Sequence, residues 1–249
     1  MIALKTKTEL ARMADACRIS AEALARAGEV IAAGMTTKEL DTIIREYILS
    51  CGAKPSFLGY GGFKGSACIS INDEVIHGIP SSKRVINPGD IVSVDVGAYY
   101  RGYHGDNAYT YRVGEVMEEA DALLSVTEAA LYRGIAAAQP GNRIGDISAA
   151  VQGYVEAHGM AVVRQYVGHG VGQELHEDPE VPNFGRAGHG PRLLPGMTIA
   201  IEPMVNAKGS DIYVLPDGWT VKTKSGSLSA HFEHTIAITA NGSQILTKV

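Results

Sequence analysis

The chain has 249 residues, 45% hydrophobic and 20% charged, with 22 Lys plus Arg against 27 Asp plus Glu and a formal net charge of −5. That composition excludes a mainly disordered polymer, and its acidic balance argues against the broad basic footprint of a nucleic-acid-binding protein. The length suffices to bury a sizeable core, so folding needs neither a disulfide nor a metal staple. Cys17, Cys51 and Cys68 form no C-x-x-C pair and suit a reducing, cytoplasmic setting. The opening MIALKTKTEL lacks an apolar signal core, and no run of about 18 apolar residues occurs, so neither export nor a membrane span is expected.

Apolar residues at near-helical spacing, Leu10, Met13, Ala16, Ile19 and Leu24, predict a helix from about Thr8 to Ala33, broken by Gly34. A second helix is expected from an N-cap at Thr37 through Leu40, Ile43, Ile44, Tyr47 and Ile48 to Gly52. Short β-like runs follow, at Ala67–Ile71 and Ile91–Val96.

The same order then returns at an offset of 107: Leu24 matches Leu131, Gly34 matches Gly141, Ile44 matches Val151, Tyr47 matches Tyr154 and Gly52 matches Gly159. After unequal loops the register is regained, with Pro88-Gly89 matching Pro195-Gly196 and Asp95 matching Glu202. These matches predict a duplicated α+β unit, with halves at roughly 8–111 and 115–245, fused about a pseudo-twofold axis into a single domain spanning 1–249.

Asp95 stands in the apolar run Ile91–Gly97, where an unpaired charge costs several kcal/mol or more. A hairpin turning at Tyr100-Arg101 would set Asp106 directly opposite it, their Cβ atoms roughly 5 Å apart. Two anions so close repel; without a cation, one takes up a proton. Glu202 and Glu233 are likewise embedded in apolar runs, and His169 lies in the glycine-rich Val167–Gly172. No array of buried Arg or Lys is evident to neutralise these four acids, whereas two divalent ions would do so with oxygen-rich ligation. Other chemistries lack their motifs: there is no G-x-S-x-G, no Walker A sequence and no H-E-x-x-H, and Lys64 stands where a dinucleotide loop beginning at Gly59 needs its last glycine.

The order Asp95, Asp106, His169, Glu202, Glu233, with the strings VIHGIP, VDVG, GYHGD, GHGVG, LHEDP, AIEPM and HFEHTIAI, closely resembles the type I methionine aminopeptidases along nearly the whole chain. The resemblance implies a pita-bread fold of the creatinase/aminopeptidase kind, in keeping with the duplication. It implies removal of the initiator methionine from nascent polypeptide N-termini by attack of a metal-bridged water, where the second residue is small. It further implies Asp95, Asp106, His169, Glu202 and Glu233 as ligands of two divalent ions, drawn from Co, Mn, Fe and Zn, with Glu202 also moving the proton. His77 and His176 match catalytic, substrate-facing positions, and Phe57, Tyr60, Phe63 and Trp219 match the wall of a methionine pocket. Gly61 stands where relatives often carry a histidine, and Leu175 where they often carry an aromatic, so the pocket differs there in shape. The expected protein is a cytoplasmic monomer without specific nucleic-acid or membrane partners; ribosome association is left open. Two rivals remain: an X-Pro peptidase on the same fold, although no large N-terminal domain of the prolidase kind is evident, and a non-catalytic peptide- or ribosome-binding relative, which would typically have lost ligands.

Overall fold

Two Thr-x-x-Glu sequences begin the first pair of helices. In the computed structural model, which describes residues 1–249, Thr6 caps helix α1 (Lys7–Val30) and Thr36 caps helix α2 (Thr37–Ser50). Each threonine hydroxyl accepts from the backbone of the glutamate three residues on, whose carboxylate accepts from the threonine N–H. The N-cap of α2 is therefore Thr36 and not Thr37, because only Thr36 has Glu39 at that spacing. Helix α1 ends before the predicted Ala33: Ile31 leaves the helical region with ψ 124°, and Gly34 makes the following turn at φ +91°.

The second pair of helices, α3 (Glu118–Ala137) and α4 (Ile144–Ala157), repeats the first. Both ends of α4 fall 107 residues after those of α2, and α3 ends 107 residues after α1. The bridge Thr36↔Val85 is matched at the same offset by Arg143↔Arg192, and the turn at Gly34 by Gly141 at φ +92°. Buried Leu40, Ile44 and Ile48 correspond in this way to buried Ile147, Val151 and Val155.

The two halves share one nine-stranded sheet. Strands Ile91–Tyr100 and Tyr103–Arg112 form a ten-residue hairpin in the first half, flanked by Ala67–Ile71 and Lys54–Pro55. In the second half Glu233–Thr239, Thr198–Ile201, Gly168–Gly170 and Glu177–Val181 lie side by side. The halves join where Tyr103–Arg112 pairs with Glu233–Thr239, with Asn107 opposite His234 and Ala108 opposite Glu233. Thr235 stitches this seam, its hydroxyl donating to the Asp106 carbonyl at 2.7 Å and accepting from the Asp106 N–H at 3.2 Å.

Strand alternation separates core from site. Val92, Val94, Val96 and Ala98 pack under α1 and α2 with Ile19, Leu40 and Ile44, which turns Asp95 to the other face. A second core, built on Leu123, Leu131, Ile147, Val151, Ile199 and Ile236, lies beneath α3 and α4. No helix is long and apolar enough to cross a membrane.

The hairpin register departs from expectation by two residues. It turns at Arg101-Gly102, both at positive φ (+50° and +86°), the backbone of a tight two-residue turn matched to strand twist. Asp95 therefore faces Ala108, and Asp106 faces Gly97. A shift of two preserves the face, so the aspartates become diagonal neighbours on the same side.

Next to Asp106, Gly105 lets α1 lie directly on the strand: a Cβ there would collide with the backbone of Ala16 and Cys17. Gly105→Ala is expected to lower unfolding stability by about 1–3 kcal/mol through overpacking. Urea unfolding of the two proteins checks this; an unchanged midpoint would show that α1 is not held against the strand.

Candidate metal centre

All eleven residues singled out from sequence line one cavity of about 290 Å³: Asp95, Asp106, His169, Glu202, Glu233, His77, His176, Phe57, Tyr60, Phe63 and Trp219. Asp95 and Asp106 rise from the hairpin, His169 from the Gly168–Gly170 strand, and Glu233 from the seam strand. Glu202 stands one residue past the Thr198–Ile201 strand, where Asn183 Nδ2 donates to its carbonyl at 2.9 Å.

Ligand atoms of Asp106, His169 and Glu233 lie within 4.8 Å of one another. His169 Nε2 is 3.5 Å from Glu202 Oε1 and 3.9 Å from Asp106 Oδ2. The buried atoms Asp95 Oδ1, Asp106 Oδ1 and Glu233 Oε1 have no hydrogen-bond partner, an arrangement that costs free energy unless a cation meets them. No lysine or arginine reaches them: the nearly buried Lys5 pairs at 2.5 Å with Glu177 instead. The donor set, four carboxylates and one imidazole, thus fits hard or borderline divalent ions.

Protonation follows from the same crowding. Burial, then the charges of Asp106 and Glu202, push the Asp95 carboxyl far above the usual carboxylate range. Burial likewise raises Glu202 and Glu233, with Asp106 the largest charged contributor to each. Asp106, buried but hydrogen-bonded by the Asn107 backbone and Asp95, is pushed up to about 7. The imidazoles move the other way. Burial, then the charge of His176, lowers His169 to about 3 and His77 to about 4, and burial lowers His176. All three are neutral at pH 7. His169 Nδ1 lies 2.9 Å from the Gly170 carbonyl, which can only accept, so Nδ1 carries the proton and Nε2 offers its lone pair to the acids.

The apolar end of the cavity is built on Gly97, where a Cβ would stand 2.8 Å from the Phe57 ring. Phe57, Phe63, Cys68 and Leu175 pack together there, and Trp219 sets its edge on Phe63 at a centroid distance of 5.1 Å. Gly61 adopts φ +54°, and a Cβ on it would come within 3.2 Å of Trp219. Leu175 is buried against the two phenylalanines, so the aliphatic replacement forms part of the wall.

Three features were not foreseen from sequence. Tyr60 Oη lies 2.7 Å from His176 Nδ1, which gives this exposed aromatic a polar task beside its place at the pocket rim. His77 adopts φ +60°, a strained value for a residue with a Cβ, and is fixed by Gly78, whose N–H donates to Ser70 Oγ. His231 is buried with Nε2 3.5 Å from Glu202 Oε2. Only the last carried a sequence signal, a histidine two residues before a strand acid.

Two outcomes are expected. His77→Gly should unfold at higher denaturant than His77→Ala, by about 1 kcal/mol, because only glycine adopts the left-handed backbone freely; the reverse order would exclude strain at this position. In metal-free protein the raised acids hold protons that the unfolded chain has released, so their stabilisation is present below an unfolded pKa of about 4 and is lost as pH rises. The depressed histidines oppose this trend only up to their unfolded pKa of about 6.5. From pH 6.5 to 8.5 the acids dominate, and stability should fall by up to about 1.4 kcal/mol per pH unit for each proton released. Urea unfolding of chelator-treated protein across that window measures the slope, and a flat profile would show that the acids do not repel.

The model of metallopeptidase family M24 matches residues 11–240. "Methionine aminopeptidase 1" of Bacillus subtilis is 53% identical over 249 residues, covering 100% of both chains. "Methionine aminopeptidase" of Escherichia coli is 43% identical over 99% of this chain and 94% of its own. Among solved structures, methionine aminopeptidase from Thermotoga maritima superposes with TM-score 0.98 at 49% identity, covering 100% of both chains. Prolidase from Pyrococcus furiosus superposes with TM-score 0.81 at 28% identity, covering 99% of this chain and 65% of the prolidase. With the pita-bread sheet, the acid-lined cavity and these likenesses in agreement, the chain belongs to metallopeptidase family M24.

Proposed function

We propose that this protein is a methionyl aminopeptidase that removes the initiator methionine from nascent polypeptide N-termini when the second residue is small. The observation that carries the reading is a single cavity with an apolar end walled by Phe57, Phe63 and Trp219 and a polar end of four carboxylates without a cationic side chain. Full-length identity of 53% to a methionine aminopeptidase supports this reading over X-Pro cleavage, for which the likeness is 28% identity covering 65% of a prolidase chain. The whole chain acts in this proposal as one catalytic domain.

Asp95, Asp106, His169, Glu202 and Glu233 would hold two divalent ions among Co, Mn, Fe and Zn. When bound, such ions polarise the scissile carbonyl and bring the pKa of water down toward neutrality. The protein's own groups do the rest. The aromatic wall takes the methionine side chain and leaves its free amine at the acidic end, so only the first residue is in reach. His176, with Tyr60 donating to Nδ1, presents Nε2–H to the carbonyl oxygen as negative charge develops there. His77, held in its strained backbone with its ring at 77° to that of Trp219, stands in this proposal where the residue after methionine leaves the pocket. Glu202 takes the proton released by the attacking water and passes it to the departing amine.

The test is kcat/KM for Met-Ala-Ser, Met-Lys-Ser and Ala-Pro peptides, before and after exhaustive chelation and with each metal restored in turn. Met-Ala-Ser should be cleaved more than about 200-fold faster than Met-Lys-Ser, since a steric clash discriminates beyond the roughly 10- to 200-fold of a single methylene, and faster than Ala-Pro, which offers no methionine to the pocket. Activity should vanish on verified metal removal while the fold persists. Faster cleavage of Ala-Pro would move the protein to the X-Pro class, and undiminished activity without metal would end the metallopeptidase reading.

A further inference from the structure

One buried polar ring beside Glu202 takes no part in the ligand set or in substrate contact as described. His231 is 2% exposed, and its backbone is locked by Thr110: the His231 N–H donates to Thr110 Oγ1 at 3.0 Å, and that hydroxyl donates to the His231 carbonyl at 2.8 Å. The residue pairs with Met204, two positions past Glu202, on the short Met204–Asn206 strand. Its Nε2 is buried without a hydrogen-bond partner, 3.5 Å from Glu202 Oε2. The other oxygen of that carboxylate, Oε1, lies 3.5 Å from His169 Nε2.

The two imidazoles thus divide one carboxylate between them, and they cannot be equivalent. His169 must present a lone pair, because its Nδ1–H is committed to the Gly170 carbonyl. A second lone pair, on His231, would face Oε2 across a repulsive gap, whereas an Nε2–H would face it attractively. We propose that His231 is a positioning residue: its Nε2–H donates to Glu202 Oε2, so that Oε2 is fixed by the protein and Oε1 is left beside His169 for the metals and the proton. The separation of 3.5 Å is the outer limit of such a bond, so the proposal requires the two side chains to close by a few tenths of an ångström in the working enzyme. The proposal rests on the reading of Glu202 as ligand and proton carrier. His231 acts only through that carboxylate.

Glutamine can donate from nearly the same point as an imidazole Nε2, and leucine fills similar space without a donor. The test compares His231→Gln, His231→Leu and Glu202→Gln with the parent protein, reading kcat and KM on Met-Ala-Ser and, separately, Mn(II) affinity by calorimetry of the metal-free proteins. His231→Leu should lose about 10- to 100-fold in kcat or in Mn(II) affinity, with KM moved less than about twofold, and His231→Gln should recover most of the loss. Equal loss in Gln and Leu would mark the ring as a direct ligand, and no loss in either would leave it without a role; each overturns the proposal. Should His231→Leu not fold, ring nitrogen NMR of the zinc-loaded parent decides: a protonated Nε2 on His231, assigned by its absence in His231→Gln, supports the proposal, and an unprotonated one refutes it. If Glu202→Gln keeps full Mn(II) affinity and activity, the reading of Glu202 itself fails; if it is crippled while His231→Leu is normal, only the role of His231 falls.

Discussion

Four carboxylates brought together out of water, with no lysine or arginine among them, repel one another, and the rest of the molecule is organised around keeping them together. Rigid neighbours resist the repulsion: Asp95 and Asp106 rise from a long hairpin backed by helix α1, and Glu233 from a strand stitched to that hairpin by Thr235. Buried oxygens without partners are the residue of this compromise. The arrangement is costly as a structural device and sensible as a receptor for cations, since a divalent ion would turn the mutual repulsion of these acids into attraction. Stability and ligand binding are therefore coupled in this protein through one set of side chains.

The chemistry of the cavity is set as much by hydrogen bonds at its rim as by the acids at its floor. His169 is forced into one tautomer by a carbonyl, His176 is met by a phenol, and His77 is held by a strained backbone beside the indole of Trp219. Burial keeps all three neutral near pH 7. They can therefore ligate or donate without adding a positive charge that would compete with metal.

Much of this was legible in the sequence because carboxylates in apolar strands are conspicuous and because the duplication repeats over a fixed offset, carrying Asp95 onto Glu202. The departures all arise where a backbone detail outweighs the pattern. Thr36 and Thr37 are equally good caps by composition, and only the distance to Glu39 separates them. The hairpin turn at Arg101-Gly102 needs two residues at positive φ, and counting back from the acids does not reveal which pair supplies them. Tyr60 and His231 were missed, or given half their part, because their partners lie 116 and 29 residues away and meet them only in the folded chain.

The seam between the halves has a consequence in time as well as in space. Helices α1 and α2 with their hairpin can condense from neighbouring sequence, and so can α3 and α4, yet Asn107 meets His234 only after a loop of more than a hundred residues has closed. One half brings Asp95 and Asp106; the other brings His169, Glu202 and Glu233. The complete set of five donors therefore exists only once the seam between the halves has formed. Completion of this cation-receptive set then falls at the end of folding, and a divalent ion held there would act as a latch that closes on a finished molecule.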